Sequence, residues 1–338
     1  MISSQMSTTP LTRLAHNNNR LLRNNRDEAV KGEFHMHYYE SMQSLIGNTP
    51  LVKLTHVGVP EGVNLFAKLE LWNPSGSVKD RTGYYMVEEA FEKGTLKPGG
   101  TIIEATAGNT GLGIAFAALN RGVRVIFVVP TKFSQEKQTL LRALGAELIN
   151  TPREEGMLGA EKKAEELLKQ IPDSISLRQF HNMANPRAHY ETTGPEIYKD
   201  LDGHVDYVVA GAGSGGTFSG ILKALKERNP KIQGVLADPV GSTMGGGEHG
   251  DYNIEGIGND FIADTMDMSL VDQVVKINDD DAFGGARELA KKEGIIAGSS
   301  SGAAFAAAKK LIASGARGNI VFVAPDRGDR YFSKGLYE

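Results

Sequence analysis

The chain has 338 residues, 40% hydrophobic and 23% charged, with a net charge of −4 and no cysteine. This is ordinary soluble globular composition, and the length suffices for two domains around a large core. It excludes nucleic-acid binding through a basic surface, as well as a disulfide framework, a thiolate metal site and a cysteine nucleophile.

Residues 1–43 read as a poorly ordered N-terminal arm, polar, rich in Asn and Arg and without a clear period. Met36 and Met42 are later candidate starts. An Arg-rich leader also fits a transit peptide, but Asp27, Glu28 and Glu33 count against that. No apolar run approaches the roughly 18 residues that span a bilayer, and the absence of cysteine suits the cytoplasm.

From about Ser44 short apolar runs alternate with amphipathic stretches. Residues 64–71, 101–105, 123–129, 146–150, 205–211, 232–238, 272–278 and 319–324 are predicted strands. Several are apolar almost throughout, as strands covered on both faces are. Helices are predicted over 134–145, which opens on a Ser134 cap and stops at Gly145, over 161–170 and over 279–294. The alternation implies an α/β fold with mainly parallel sheets covered by helices, and two such sheets fit the length.

Four stretches carry chemistry. In "NPSGSVKDR" (73–81) Lys79 stands between a small-residue turn and a predicted helix, with Ser77 before it and Asp80 and Arg81 after it. In "VVAGAGSGGTFSGI" (208–221) a strand runs through Gly211, Gly213, Gly215 and Gly216 into a helix. Glycines let backbone N–H groups converge, Ser214 and Thr217 add hydroxyls, and the helix start adds partial positive charge. That describes a phosphate cradle; the glycines also fit a loose G-x-G-x-x-G, a weak signal on its own, and the plain alternative is a tight strand–helix turn. In "EATAGNTGLGIAFAA" (104–118) Thr106, Gly108, Asn109 and Thr110 surround a helix start able to grip a carboxylate, or form a simple Asn-Gly turn with a Thr cap. In "AGSSSGAAFAAA" (297–308) hydroxyls precede a small-residue helix, as an N-cap or as a wall that reaches a ligand. Together, a sheltered lysine, a phosphate cradle, a carboxylate loop and a serine wall suit an aldehyde cofactor with one phosphate, pyridoxal 5′-phosphate.

From about Ser44 to Arg327 the chain resembles the fold-type II (tryptophan synthase β-like) pyridoxal phosphate enzymes, most closely their cysteine synthase and cystathionine β-synthase branch. "IGNTPLVKL" (46–54), "NPSGSVKDR", "TAGNTG" (106–111), "QFHNMANPRAHYETTGPEI" (179–197), "GSGGT" (213–217) and "GSSSG" (298–302) carry the resemblance. It implies that Lys79 is the Schiff-base lysine and catalytic base. Gly213, Ser214, Gly215, Gly216 and Thr217 would bind the cofactor phosphate, Asn109 its 3′-oxygen and Ser300 its ring nitrogen. Thr106, Ala107, Gly108, Asn109, Thr110, Gln179 and Gly256 would bind the substrate. It further implies a larger cofactor domain over 44–84 and 187–338, a smaller mobile domain over 85–186, and a homodimer.

Two departures stand out. Ala107 replaces the serine of many relatives, which removes one hydroxyl donor, and "NMAN" (182–185) replaces "NPAN". "EGIGNDFI" (255–262) looks closer to the cystathionine-forming branch, with Asn259 and Asp260 expected near the pocket mouth. The implied reaction is β-replacement on O-acetylserine or serine through a bound aminoacrylate, with homocysteine giving cystathionine or sulfide giving cysteine. The alternatives are lanthionine formation, a β-eliminase (cysteine desulfhydrase or serine/threonine dehydratase) and a non-enzymatic binder, against which the intact Lys79 argues. No metal, nucleic-acid or membrane partner is expected.

Overall fold

The structure, a computed structural model, describes residues 38–106, 108–131 and 135–338. Most of the N-terminal arm, Ala107 and the Ser134 cap lie outside the described residues.

Six strands form the larger sheet: β1 (Leu51–Lys53), β2 (Val63–Leu69), β7 (Tyr207–Gly211), β8 (Gln233–Pro239), β9 (Gln273–Ile277) and β10 (Gly318–Ala324), in the order β1-β2-β10-β7-β8-β9. All neighbours are parallel except the β1–β2 pair. Side chains alternate along β10. Ile320 and Phe322 face one core with Leu65, Val209 and Phe305, while Val321 and Val323 face another with Val208, Leu236 and Phe218. Helix α9 (Ser299–Ala313) covers the first face and α7 (Gly216–Lys226) the second. Burial on both faces is why the central strands β7, β8 and β10 are mostly apolar.

The smaller sheet holds β3 (Thr101–Ala105), β4 (Arg124–Pro130), β5 (Glu147–Thr151) and β6 (Ser174–Ile175), all parallel, in the order β5-β4-β3-β6. Ile102, Phe127 and Val129 pack with side chains of α1 (Lys79–Glu92) and α2 (Asn109–Ala118). On the other face Ile103, Ile126 and Val128 pack on Ala160, Ala164 and Leu167 of α4 (Gly156–Gln170). Helix α3 (Gln135–Ala143) joins β4 to β5, and α8 (Asp279–Glu293) joins β9 to α9. Between the sheets the chain runs through α5 (Ala184–Ala188), a wide π turn over His189–Thr193 and α6 (Gly194–Asp200). Each predicted strand and helix has its counterpart, with ends shifted by a few residues; β1, β6, α5 and α6 are additions.

Candidate active site

Lys79 is the first residue of α1 and follows a turn at Gly76, whose φ is +89°. The turn is built by side chains as well as backbone. The Ser75 amide donates to Asp80 Oδ2 at 2.6 Å and the Ser75 hydroxyl donates to Oδ1. The Val78 amide donates to the Pro325 carbonyl at 2.8 Å, which pins the turn to the end of β10. Burial pushes the Asp80 carboxyl up to about 6 against the pull of its Ser75 bonds. Burial lowers the Lys79 amine, opposed by the charge of Asp326. Both shifts follow from desolvation of the charged form.

Arg81, next in sequence, faces the opposite way. It donates from Nε to Glu70 Oε2 at 2.7 Å and from Nη1 to Glu196 Oε1 at 2.7 Å. Lys68 lies 2.9 Å from Glu196. Lys68, Glu70 and Arg81 are buried and Glu196 is half-buried; the four come from β2, the turn just after it, α1 and α6.

Lys79 shares one cleft with the glycine turn between β7 and α7. Val78, Lys79, Gly213, Ser214, Gly215, Thr217 and Gly256 are among its walls, and it encloses about 390 Å³, partly open to solvent. Gly215 has φ +82°, a conformation that favours glycine. The reason for the glycines differs from the sequence-based one. A Cβ on Gly215 would lie 2.4 Å from Met266 Cβ, one on Gly216 2.1 Å from Asn185 Oδ1, and one on Gly213 2.6 Å from the Gly256 carbonyl. The bare Cα atoms therefore let the turn press into its own protein bed. Gly256 is the exception: a Cβ there meets nothing within 4 Å, so its Cα faces open space.

Two buried groups hold the hydroxyls of this turn. Asn185 Nδ2 donates to Ser214 Oγ at 2.9 Å. His189 Nε2 lies 3.1 Å from Thr217 Oγ1, with Nδ1 2.9 Å from Thr193 Oγ1. Burial drives His189 down to about 3, so the ring is neutral near pH 7. With Nε2 as the protonated nitrogen, Thr217 accepts from the ring and its own O–H points elsewhere. Ser214 likewise accepts from Asn185 and keeps a proton to donate. A glycine turn carrying two hydroxyls, with an eleven-residue helix behind it, fits a phosphate dianion.

The remaining predicted residues fall into two groups outside that lining. Thr110 Oγ1 donates to Gln179 Oε1 at 2.6 Å, and the Gly108 amide reaches Thr106 Oγ1 at 3.4 Å. The carboxylate loop and Gln179, 69 positions apart, thus form one unit. Asn109 donates from Nδ2 to Asp326 Oδ2 at 2.7 Å, and its Oδ1 accepts from Arg330. Ser300 is buried in the first turn of α9, just after Gly298, whose amide donates to the Asp326 carbonyl at 3.1 Å.

Asn259 and Asp260, expected near the pocket mouth, both have protein partners. Asn259 Nδ2 donates to the Gly213 carbonyl at 2.6 Å, and Asp260 pairs with His249 at 2.9 Å on the surface. The sequence reading missed Asn185, His189, Asp326 and Arg330. A charge placed directly after the apolar β10 was a signal for Asp326, since parallel strands present ligand-binding groups at their carboxyl ends. Among the described residues no cluster of His, Asp and Glu could hold a metal ion, and no helix is long and apolar enough to cross a membrane.

Lys79 and the glycine turn that ends β7 line one cleft, an arrangement that suits a lysine-anchored cofactor bearing a phosphate. Residues 42–326 match the family model described as pyridoxal-phosphate dependent enzyme, and the chain belongs to that family. It is 51% identical over 295 residues to the O-acetylserine dependent cystathionine beta-synthase of Bacillus subtilis (strain 168), covering 87% of this chain and 96% of the relative. It is 48% identical over 300 residues to a cysteine synthase of Helicobacter pylori (strain J99), covering 88% and 98%. The crystal structure of an O-acetylserine dependent cystathionine beta-synthase from Helicobacter pylori superposes with a TM-score of 0.85 at 47% identity, covering 90% of this chain and all of that one.

Proposed function

We propose that this enzyme replaces the β-substituent of O-acetylserine with a thiol, making cystathionine from homocysteine and cysteine from sulfide. The observation that carries the reading is the shared cleft of Lys79 and the 213–217 turn, in a chain whose relatives bear those two names. Pyridoxal 5′-phosphate, when bound, supplies the electron sink that acidifies the α-carbon of the amino acid.

The chain's own residues do the rest. Lys79 attaches the cofactor and, once freed, carries the α-proton on Nζ. Its lowered basicity suits it to take that proton near neutral pH. The 213–217 turn bonds the phosphate, Asn109 bonds the 3′-oxygen and Ser300 the ring nitrogen. Ser300 would meet the ring nitrogen with a neutral hydroxyl, able to accept or donate one hydrogen bond. Thr106, Gly108 and Thr110, with Gln179 and Gly256, receive the substrate; backbone N–H groups, the Thr106 hydroxyl and the Gln179 side-chain N–H, its Oε1 held by Thr110, bind the carboxylate and exclude water. Ala107 stands in the same loop. Residues 44–84 and 187–338 act as the cofactor domain and 85–186 as the smaller moving one, in a cytoplasmic homodimer.

The test crosses O-acetylserine and serine with homocysteine, sulfide and cysteine, and identifies products by mass. Cystathionine from O-acetylserine and homocysteine is the expected main product. Cysteine alone makes the protein a cysteine synthase, and keto acid released without any thiol makes it an eliminase.

A further inference from the structure

Asp326 is the side chain on which the parts of the site converge. It is 1% exposed and sits at the carboxyl end of β10. Its backbone bridges to Ser77 in the lysine turn, and its carbonyl accepts from Gly298 at the start of the serine wall. Oδ2 accepts from Asn109 at 2.7 Å and from the Tyr331 hydroxyl at 2.5 Å. Oδ1 is buried without a hydrogen-bond partner. A buried carboxylate oxygen left unpaired is costly and calls for a function or a missing partner.

We propose that Asp326 is a positioning residue that fixes the Asn109 amide and serves as the counter-charge of Lys79. The amide is locked from both ends. Asp326 accepts one Nδ2 proton while Arg330 donates to Oδ1, so the amide cannot flip without losing both bonds. One N–H remains for a ligand. Arg330 also donates to the Ser75 carbonyl, so the lock on Asn109 is tied to the turn that carries Lys79. The groups that face Asp326 are Lys79 of α1, Asn109 of α2, Lys137 of α3, and Arg330 and Tyr331 of the C-terminal turn. Lys137 and Arg330 are cationic. Burial raises the Asp326 carboxyl, and Tyr331, Asn109, Arg330 and Lys137 pull it down. An anion there favours the ammonium form of Lys79 and opposes the burial that disfavours it.

The decisive variant is Asp326→Asn in the cofactor-loaded enzyme. The sign follows from the charge: without the anion, the Lys79 amine, once substrate has freed it from the cofactor, loses its proton at lower pH. The acid limb of the O-acetylserine half-reaction, followed by loss of the cofactor's visible band, should move down by about one pH unit or more. The ratio of the cofactor's absorption bands should change as well, because Asn109 is no longer locked against the 3′-oxygen. Asp326→Glu, which keeps the charge, should bring the acid limb back toward the wild-type position. If Asp326→Asn does not fold, Tyr331→Phe serves, since it removes the other donor to Oδ2, loosens the carboxylate that holds Asn109 and should shift the band ratio the same way by less. A folded variant with unchanged limb and unchanged band ratio overturns the proposal and leaves Asp326 a packing residue. The pH limb rests on O-acetylserine being a substrate. If wild-type enzyme shows no half-reaction, the functional reading fails while the band ratio still tests Asp326.

Discussion

Gly113 lies against the carbonyl of Lys79 so closely that a Cβ on it would come within 2.2 Å of that oxygen. The contact is reciprocal: a Cβ on Gly83 would lie 2.3 Å from the Gly113 carbonyl carbon. Helices α1 and α2 therefore touch backbone to backbone. One begins with Lys79 and the other with Asn109, so this contact fixes the spacing between the lysine turn and the carboxylate loop. Gly113→Ala should cost about 3 kcal/mol in urea unfolding and weaken cofactor binding, because rigid backbone cannot yield to the new methyl. Gly284→Ala is the control. It sits exposed in α8 with nothing within 4 Å of an added Cβ. It should stabilise by roughly 0.5–1 kcal/mol through the unfolded chain.

Lys79→Ala should abolish covalent cofactor attachment and slow turnover by at least about 10³-fold, with the fold intact. The measurement is borohydride reduction followed by mass analysis of the labelled peptide. A label retained elsewhere, with near-normal turnover, would assign the anchor to another lysine.

The fold was legible wherever one strand or helix declared itself. Eight strands could be read, most plainly β4, β7, β8 and β10, where burial on both faces leaves apolar runs. β1 and β6 could not, since three and two residues at sheet edges carry no pattern. α5 and α6 were not predicted: both are short and each carries a proline, Pro186 and Pro195, the latter in the first turn of its helix, where proline is tolerated. Within the site, glycine spacing revealed the cradle, while its reason lay in tertiary packing against Met266 and Asn185. The Asn109–Asp326 bond joins residues 217 positions apart, and no local pattern announces it. Arg81 was visible beside the lysine, but its partners Glu70 and Glu196 were not.

Gly215→Val should release the cofactor through strain rather than by blocking the phosphate. The residue has φ +82°, and its Cβ would press on Met266 at Cα, Cβ and Sδ. Trimming Met266 to alanine leaves Cα and Cβ in place, so the double variant should not recover. Cofactor retained after extensive dialysis reads the effect. Wild-type retention by Gly215→Val would remove the case for a strained cradle.

The buried charges around Arg81 give stability a defined acid limb. Burial raises Glu196, but Arg81 and Lys68 outweigh it and hold the carboxyl near 2, below its ordinary 4.5. A depressed carboxyl contributes stability that is complete above the unfolded value and lost as pH falls through the folded one. Glu196→Gln should therefore flatten the loss of stability between pH 4.5 and 2. Arg81→Leu should cost about 3–5 kcal/mol at pH 7, because Glu70 is left charged and buried without its guanidinium. Chemical denaturation across that pH range checks both.

Asn259 and Asp260 separate two readings of the segment that follows the cradle. If they recognised the amino group of a larger thiol, both substitutions would raise the KM for homocysteine and spare that for sulfide. Their bonds argue otherwise. Asn259 donates to Gly213 at 2.6 Å and its amide nitrogen donates to Ser242 Oγ at 3.1 Å, so it braces the back of the phosphate turn. Asp260 is exposed and paired with His249, whose proton it holds more tightly through that bond. Asn259→Ala should therefore weaken cofactor retention several-fold and lower turnover with both thiols alike, since the Gly213 carbonyl loses a donor worth about 1 kcal/mol. Asp260→Ala should change neither thiol preference nor cofactor affinity. The assay is KM for homocysteine and for sulfide at saturating O-acetylserine, with cofactor titrated in parallel. A selective rise in the homocysteine KM in either variant would return this segment to the role of thiol filter.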